Sequence, residues 1–201
     1  MLRALLFDLD GVLIDSFHAW LAVANQAAAD FGAPSIVEEI FRRSFGQSSA
    51  DDVEAFYPGR TAEEVDAFFA AHFRDHLGAV TVNPDAPPLL RRARAAGLRL
   101  ACVTNTNAPL AREILEATRL GPLLDAALGA GPPNRPKPAP DLVRAALRAL
   151  EVAPDEALLV GDTRYDVQAG RNAGVFTVGL GTDADARIET LGGLARFLPA
   201  G

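Results

Sequence analysis

Cysteine and long apolar runs are scarce in this sequence of 201 residues, and each shortage excludes a class of protein. The single cysteine, Cys102, allows no internal disulfide and indicates a reducing compartment. Its neighbours, "LRLACVT", predict a buried strand thiol rather than a nucleophile. The N-terminal run "MLRALLFDLD" is broken by Asp8 and is too short for a signal peptide or a membrane span. We therefore expect a soluble, cytoplasmic protein.

Positive charge is scarce as well. The 19 basic residues are outnumbered by 26 acidic ones, and the net charge of −7 argues against nucleic acid or an anionic membrane as the main partner. Lysine is almost missing, because Lys137 is the only one and arginine supplies the rest. One lysine between two prolines, in a chain that otherwise uses arginine, indicates that a compact point charge is needed there.

Apolar residues, in contrast, make up 49% of the chain and fall into short runs typical of buried strands. Continuous apolar strands that alternate with helical patterns predict a doubly wound, Rossmann-like parallel sheet with helices on both faces, an α/β fold. The predicted strands are Leu5–Leu9, Leu98–Val103, Leu124–Leu128, Ala157–Val160 and Val175–Val178. The helical patterns between the later strands cover residues 108–120, 139–152 and 165–173.

The first crossover is unusually long. Residues 10–97 separate the first two predicted strands, where a single helix would suffice. Helical patterns fill this stretch, and its recurring aromatics are enough for a small core of its own. The patterns are Phe17–Phe31, Ile36–Phe45, Ala50–Phe56 and Ala62–Leu77. We therefore predict an α/β core domain of residues 1–15 and 83–201, with a small all-helical domain, residues 16–82, inserted into it.

Polar side chains follow the ends of the predicted strands, where open parallel sheets bind ligands. In chain order they are Asp8, Asp10 and Gly11, then Thr104 and Asn105, then Lys137, and finally Asp162 and Asp166. Carboxylates that share a pocket repel one another unless a cation compensates. Oxygen ligation, with no histidine or cysteine supplied nearby, selects a hard ion such as Mg²⁺.

Such a set suits phosphoryl transfer. An ionised carboxylate in line with phosphorus can attack it and form an acyl phosphate. Asp10 lies two residues after Asp8, on the same side of an extended chain, from where it could protonate the leaving oxygen and later take a proton from water. The Thr104 hydroxyl, backbone N–H groups near Gly11 and the Lys137 ammonium are suitable donors to phosphoryl oxygens.

Four motifs resemble those of the haloacid dehalogenase superfamily of phosphotransferases, in the expected order: "DLDGVLIDS", "VTNTN", "RPKPAPD" and "VGDTRYDVQAGRNAG". The helical insert matches the position of that superfamily's helical cap. The resemblance implies Asp8 as the nucleophile, Asp10 as the general acid/base, and Thr104 and Lys137 as phosphate holders. It also implies Mg²⁺ held by Asp8, the Asp10 carbonyl and Asp162, with Asp166 nearby or acting through water.

Some of these residues also suit a purely structural role. Asp162 could be the N-cap of the following helix, and Asp166 in the first turn would suit the helix dipole. Thr104 could only cap the helix that begins near Ala108. We expect the site roles, because all of these residues lie in the four motifs.

Three further residues are weaker candidates. Gly11, Asn105 and His18 are candidate substrate or phosphate contacts, although Asn105 also suits a turn and His18 a hinge. His72 and His76 have the spacing of zinc ligands on a helix, but the intervening "FRD" lacks the glutamate that follows the first histidine of a zinc protease. A solvated helix face is therefore expected there.

The residues also separate the chemistries of the superfamily. By the resemblance, its dehalogenases lack a second aspartate at the position of Asp10. Its phosphonate-cleaving enzymes use a cap lysine, which residues 16–82 lack. Mutases of the β-phosphoglucomutase type are also expected to use one, so hydrolysis is preferred to them. We predict an enzyme, a Mg²⁺-dependent phosphatase for a small phosphorylated metabolite, whose nearest likeness is to phosphoglycolate phosphatases.

Several alternatives stay open. Small sugar phosphates, pyrophosphate and nucleoside monophosphates are possible substrates, so a pyrophosphatase or a nucleotidase of the same superfamily is an alternative. A phosphoaccepting signalling domain and a binding protein without turnover are alternatives from other classes. The sequence is compatible with a monomer or a homodimer.

Overall fold

The computed structural model describes residues 1–199. The chain divides into two compact units, one of Met1–Asp15 with Val82–Gly201 and the other of Ser16–Thr81. We refer to the first as the core unit and to the second as the helical unit. The predicted role of the helical unit as a cap stays a prediction.

The core unit is built on a parallel sheet. The strands of the described chain are β1 (Ala4–Phe7), β2 (Ile14–Asp15), β3 (Thr81–Val82), β4 (Arg99–Asn107), β5 (Ala126–Ala130), β6 (Ala157–Gly161), β7 (Phe176–Leu180) and β8 (Ala186–Ile188). Within residues 1–199 the main sheet has six strands in the order β5-β4-β1-β6-β7-β8, and neighbouring strands run parallel. Strands β2 and β3 form a separate small sheet. The predicted doubly wound parallel sheet is confirmed.

Strand β1 lies in the middle of this sheet, between β4 and β6. Its residues "ALLF" are fully buried, as expected for a strand covered on both faces. The chain order reverses beside β1: the chain moves outward through β4 and β5, then returns to β6 and moves outward on the other side. Ligands of open α/β sheets bind at such a switch point, beyond the carboxyl ends of the strands. The loops that follow β1 and β6 adjoin there.

The helices of both units bury apolar faces. They are α1 (Phe17–Phe31), α2 (Glu38–Ser44), α3 (Ser49–Phe56) and α4 (Ala62–His72) in the helical unit, and α5 (Ala86–Ala95), α6 (Ala108–Ala117), α7 (Asp141–Leu150) and α8 (Arg164–Ala173) in the core unit. Helix α7 illustrates the pattern, because its residues Leu142, Ala146 and Leu150 are buried while Arg144 and Arg148 are exposed. Each leucine buried in this way contributes about 1.5–3 kcal/mol relative to an exposed one.

Helix α5 was not predicted. The sequence "VNPDAPP" was predicted to be the segment that leaves the insert. Pro87 and Pro88 instead occupy the first turn of this helix. Proline is tolerated there because the first N–H groups of a helix have no intrahelical partner. The buried residues Leu89, Leu90 and Ala93 have helical spacing and were the available signal.

Two other predicted boundaries were wrong. The third strand pairs from Ala126, not from Leu124, because Gly121–Leu123 form a 3₁₀ turn just before it. The long helix predicted to end at Leu77 is α-helical only to His72 and then continues as a 3₁₀ segment. The short edge strand β8 was not predicted.

The helical unit has the aromatic core that the sequence predicts. Trp20 packs on Phe73 with ring centroids 4.4 Å apart, and Phe31 meets Tyr57 edge-on at 5.5 Å. The buried Tyr57 hydroxyl donates to the carbonyl of Ala24 at 2.9 Å. These contacts lie within the unit, so it has a hydrophobic core of its own.

Cys102 is a buried strand thiol, as predicted. Burial, reinforced by the charge of Asp8, raises the pKa of this thiol well above its ordinary value. The thiolate is therefore disfavoured, and Cys102 is unsuited to nucleophilic chemistry. Among the helices of residues 1–199, none has the length and apolar composition needed to cross a membrane.

Candidate active site

The loop after β1 brings two carboxylates to the end of the sheet. The N–H of Asp8 donates to Val160 O at 2.9 Å, which extends the pairing with β6 by one residue. The N–H of Gly11 donates to Ile14 O at 2.8 Å and closes a tight loop. Asp8 and Asp10 are 4% and 8% exposed. The Gly11 N–H would have to leave Ile14 to bind a phosphoryl oxygen, so its phosphate contact stays a prediction.

Two glycines allow carboxylates from the loop after β6 to approach closely. A Cβ atom at Gly11 would overlap the carboxylate of Asp162, and Gly11 also has a φ of +81°. A Cβ atom at Gly161 would overlap the side chain of Asp166. Only glycine combines this backbone conformation at position 11 with the missing side chain.

Lys137 is 1% exposed and lies among the carboxylates. Its ammonium lies 2.8 Å from Asp8 Oδ1 and 2.6 Å from Asp166 Oδ1, and it donates to Val103 O at 3.1 Å. Burial by itself lowers the pKa of Lys137, but the charges of Asp166 and Asp8 outweigh burial and raise it. The ammonium therefore stays charged, and each of its three N–H groups has an acceptor.

Asn105 holds the backbone of Lys137. Its Nδ2 donates to Lys137 O at 3.0 Å, and the Lys137 N–H donates to its Oδ1 at 2.6 Å. This pair of bonds ties the loop before α7 to the end of β4. The contacts support a role of Asn105 in positioning Lys137, while its predicted phosphate contact stays a prediction.

Asp166 is engaged at both oxygens. Oδ1 contacts Lys137, and Oδ2 accepts the hydroxyl of Thr163 at 2.6 Å and the Thr163 N–H at 3.1 Å. The Thr163 hydroxyl accepts the Asp166 N–H in return, which makes a capping box at the start of α8. Thr163, not Asp162, is therefore the N-cap. Oδ1 accepts from Lys137 alone and keeps a second lone pair that a metal could use, and the metal role of Asp166 stays a prediction.

Asp8 uses one oxygen for its contacts. Oδ1 accepts the Leu9 N–H at 2.7 Å and contacts the Lys137 ammonium. Among the residues that the structure describes, Oδ2 has no hydrogen-bond partner. Burial and the charge of Asp166 raise the pKa of Asp8 well above its ordinary value, although Lys137 opposes them. A fixed Oδ1 orients the carboxylate and leaves Oδ2 available.

Three carboxylates form a possible metal site. One oxygen from each of Asp8, Asp162 and Asp166 lies within 4.8 Å of the other two. Within residues 1–199, Asp162 Oδ1 is the buried side-chain oxygen that has no hydrogen-bond partner. Burial, and next the charge of Asp166, raise the pKa of Asp162 to about 7.

These observations fit a hard divalent cation. The donors are carboxylate oxygens, which Mg²⁺ prefers. A buried oxygen without a partner is costly, and a bound cation would satisfy it. When ionised, four carboxylates beside one lysine leave an excess of negative charge, and a bound cation would compensate it.

Thr106 is a site residue that was not predicted from the sequence. Its hydroxyl donates to Asp10 Oδ2 at 2.9 Å, whereas the Thr104 hydroxyl lies 3.5 Å from the same oxygen, at the limit of a hydrogen bond. The Thr104 hydroxyl instead accepts the Thr106 N–H at 3.1 Å. Asn107, not Thr104, caps helix α6. The available signal was a second hydroxyl in the motif "VTNTN", two residues after Thr104.

The predicted histidines lie in the helical unit. His18 is exposed in the first turn of α1, with its ring edge-on to Phe17 at 5.3 Å, and its substrate contact stays a prediction. His72 stacks on Phe68 at 4.0 Å, and His76 contacts the Gln26 side chain at 3.0 Å. The two histidines thus have separate neighbours, and neither belongs to the cluster of possible metal ligands found in residues 1–199.

Comparison with known proteins agrees with this geometry. The haloacid dehalogenase-like hydrolase family matches residues 5–180, which include all of the core-unit site residues described above. The chain belongs to this family. It is an enzyme, a phosphatase of the haloacid dehalogenase type, and the resemblance noted from its motifs is confirmed.

The similarity to known proteins and solved structures extends over most of the length of this hydrolase. The hydrolase is 33% identical to a phosphoglycolate phosphatase of Rhodospirillum rubrum, in an alignment that covers 98% of this chain and 87% of the relative. It is 31% identical to the pyrophosphatase PpaX of Bacillus velezensis, with 88% and 82% covered. A haloacid dehalogenase-like family hydrolase of Streptococcus pneumoniae has the same fold, with a TM-score of 0.84, 18% identity, and 98% and 99% covered.

Proposed function

We propose that this hydrolase is a Mg²⁺-dependent phosphatase that cleaves a small, phosphoglycolate-like phosphomonoester through an aspartyl phosphate on Asp8. The observation that carries the proposal is the Asp8 carboxylate, whose Oδ1 is held by Lys137 and the Leu9 N–H while Oδ2 has no partner among residues 1–199. A carboxylate oriented in this way is prepared for in-line attack. The similarity to phosphoglycolate phosphatases supports the substrate class.

In the first half-reaction, Asp8 Oδ2 bonds to phosphorus as the bond between phosphorus and the ester oxygen breaks. Asp10 gives its proton to the departing oxygen, so the alcohol leaves neutral. Lys137 balances the charge that remains beside Asp8, because its ammonium stays in contact with Oδ1. Thr104, predicted to hold the phosphate, would donate its hydroxyl to a phosphoryl oxygen.

In the second half-reaction, water attacks the phosphorus of the aspartyl phosphate. Asp10, now ionised, takes a proton from this water, and the bond between Asp8 Oδ2 and phosphorus breaks. Inorganic phosphate leaves, Asp8 is again a carboxylate, and Asp10 again carries its proton. The net reaction consumes one water and one phosphomonoester and yields one alcohol and one phosphate.

The cation would be held by Asp8, Asp162 and the carbonyl of Asp10, with Asp166 nearby. When bound, Mg²⁺ would keep the neighbouring carboxylates ionised and compensate the charge of phosphoryl oxygens. The buried Asp162 Oδ1, without a partner in the described chain, supports this assignment. The tight approach of Gly11 to Asp162 supports it as well, since it brings the loops after β1 and β6 together.

Hydrolysis is preferred to mutase chemistry. A mutase of the β-phosphoglucomutase type is expected to use a lysine of the helical domain, and residues 16–82 contain none. Pyrophosphate is the second candidate substrate, because a curated relative at 31% identity is a pyrophosphatase. A cytoplasmic location, and a monomeric or homodimeric state, stay predictions.

The test is a substrate panel with the purified protein, with and without Mg²⁺. We expect Mg²⁺-dependent release of inorganic phosphate from p-nitrophenyl phosphate and from one or more small phosphomonoesters, phosphoglycolate among them. Asp8→Asn should abolish turnover and should form no acid-stable phosphoenzyme in a quench experiment. The control is Asp155→Asn, the same change at an exposed position, which should leave activity unchanged.

Each outcome decides between the candidates. Release of phosphate from pyrophosphate alone would favour a pyrophosphatase. Conversion of β-glucose 1-phosphate to the 6-phosphate would favour a mutase. Substantial activity of Asp8→Asn would contradict the nucleophile assignment.

A further inference from the structure

We propose that Thr106 is a positioning residue that holds the carboxyl group of Asp10 in its proton-transfer orientation. The inference rests on the proposed function, because it concerns the residue assigned there as general acid/base. It gives a role to a residue that lies within the motif "VTNTN" but is not among the predicted site residues.

The hydrogen bond has an ordinary length and is protected from solvent. Thr106 Oγ1 donates to Asp10 Oδ2 at 2.9 Å, and both residues are 8% exposed. The Thr104 hydroxyl lies at 3.5 Å from the same oxygen, too far to replace this bond without movement. A buried carboxyl oxygen that loses its donor is left unsatisfied, so this bond matters more than one in solvent.

An irregularity in β4 directs Thr106 toward Asp10. Thr104 pairs with Gly129 of β5, but the next paired residue is Asn107, opposite Ala130. Two residues, Asn105 and Thr106, are therefore extra on β4 and leave the regular pairing, as in a β-bulge. Bulges of this kind are used to redirect a side chain.

Gly129 on the neighbouring strand makes the bulge possible. A Cβ atom at position 129 would lie 2.6 Å from Thr106 O and 2.5 Å from the Cα of Ala108. Those contacts are too short for any other residue, so the bulged segment can pack against β5 only where a glycine stands.

The two bulged residues contact different groups of the site. Asn105 contacts the backbone of Lys137, and Thr106 contacts the side chain of Asp10. With Thr106 donating to Oδ2, the carboxyl group of Asp10 is held in one orientation. Loss of the hydroxyl should therefore impair proton transfer more than binding.

The test compares leaving groups. The p-nitrophenolate ion leaves without a proton, whereas an alkoxide needs one, so kcat/KM for the two substrates separates proton donation from the rest of the first half-reaction. Thr106→Val keeps the shape and removes the hydroxyl. We expect kcat/KM for an alkyl phosphate to fall about 30-fold, because a misoriented acid loses part of the roughly 10²- to 10⁴-fold that general acid catalysis supplies, while kcat/KM for p-nitrophenyl phosphate changes less than about threefold.

Three variants complete the design. Thr106→Ser retains the hydroxyl and should restore kcat/KM for the alkyl phosphate to within about threefold of the original. Thr106→Ala carries the same test if Thr106→Val does not fold. Thr118→Val is the matched control, because the Thr118 hydroxyl donates to the carbonyls of Ile114 and Leu115 at the end of α6; both substrates should be turned over as before.

The outcomes separate the inference from the function on which it rests. Equal losses for both substrates, an unchanged kcat/KM in Thr106→Val, or failure of Thr106→Ser to rescue would overturn the role of Thr106. Asp10→Asn is the reference variant. If it shows no leaving-group dependence, the acid role of Asp10 is wrong; if it shows one and Thr106→Val does not, only the role of Thr106 is wrong.

Discussion

Gly11 and Asp162 come so close in the folded core that position 11 has no room for a side chain. A Cβ atom there would overlap the Asp162 carboxylate, although the two residues belong to different loops, after β1 and β6. This approach brings the loop that carries Asp8 and Asp10 against the loop that carries Asp162. The carboxylate cluster therefore depends on a residue that has no functional group.

Gly11→Ala should impair catalysis beyond its effect on stability. The matched control is Gly97→Ala, because Gly97 has nearly the same φ, +80°, and a Cβ atom there would have no other atom within 4 Å. Both changes force an alanine into the left-handed region, at a cost of about 1–2 kcal/mol. Only Gly11→Ala also displaces Asp162. A misplacement of about 1 Å in an active site can lower kcat/KM by about 100-fold.

The measurements for this pair are the melting temperature, kcat/KM and the Mg²⁺ concentration that gives half-maximal activity. Gly11→Ala should need more Mg²⁺, and Gly97→Ala should need the same amount as the original protein. Equal activity in the two variants would show that the approach of Gly11 to Asp162 does not matter for catalysis.

Lys137→Arg should inactivate the enzyme although it keeps the charge. The ammonium of Lys137 has three acceptors around it in a buried space, and a planar guanidinium is larger and presents its N–H groups differently. We expect kcat to fall by about 100- to 1,000-fold, the range for losing a donor aimed at the reacting charge. Steady-state kinetics measure this.

Arg135→Lys, two residues earlier, is the control for that variant. Arg135 is exposed and pairs with Asp141 at the surface, so the reverse exchange there should leave kcat unchanged. Near-normal kcat in Lys137→Arg would remove Lys137 from direct contact with the reacting groups.

Asn105→Ala should lower kcat by about 10-fold, the effect typical of losing a residue that orients a catalytic group. The reason is that Asn105 makes two hydrogen bonds to the backbone of Lys137. Asn107→Ala is the control: it removes the N-cap of α6 and should cost about 1 kcal/mol of stability with little effect on kcat. If only the melting temperature of Asn105→Ala changed, Asn105 would be structural.

The stability of the metal-free protein should depend on pH through Asp162. Its pKa is raised from 3.8 to about 7, first by burial and then by Asp166, so the folded protein retains a proton that the unfolded chain has lost. Stability from this group is therefore present at low pH and falls as the pH rises from about 4 to about 7. Asp162→Asn removes the ionisation, and we expect it to raise the melting temperature at pH 8 by roughly 5 °C, with no gain near pH 4.

Melting curves at both pH values, with chelator and with Mg²⁺, test this prediction. Mg²⁺ should raise the melting temperature of the original protein at pH 8 more than that of Asp162→Asn. Asp141→Asn is a control of opposite sign, since a hydrogen bond from Arg135 lowers the pKa of Asp141, and this change should not stabilise the protein at pH 8. A lower melting temperature of metal-free Asp162→Asn at pH 8 would contradict the assigned ionisation.

Much of the fold follows from local patterns. The apolar runs that became β1 and β6 are short and continuous, and the helix over Phe17–Phe31 has the bounds that its pattern predicts. Helix α5 was not predicted because Pro87 and Pro88 are typical of a linker. Only the spacing of the buried residues that follow them indicates a helix. The register of the third strand was misplaced because pairing with β4, rather than the apolar content of Leu124, decides where it begins.

The site was predicted in part for a related reason. Strand ends identify Asp8, Asp10, Lys137 and Asp162 as neighbours, because parallel strands present their carboxyl ends at one edge. The contacts between them are not local. Thr106 and Asp10 are 96 residues apart in the chain, and no pattern within either segment specifies which of two threonines reaches the carboxyl.

The amino-acid sequence by itself determined where five strands of the main sheet and most helices fall along the chain, and which loops carry the reactive residues, since periodicity and turn residues act over a few positions. Only the tertiary structure decided that Thr106 rather than Thr104 binds Asp10, that Asn105 holds Lys137, and that Asp162 retains an oxygen without a partner in the described chain. The physical reason is steric: these contacts depend on Gly129 and Gly11, whose missing side chains matter only once distant segments pack against them.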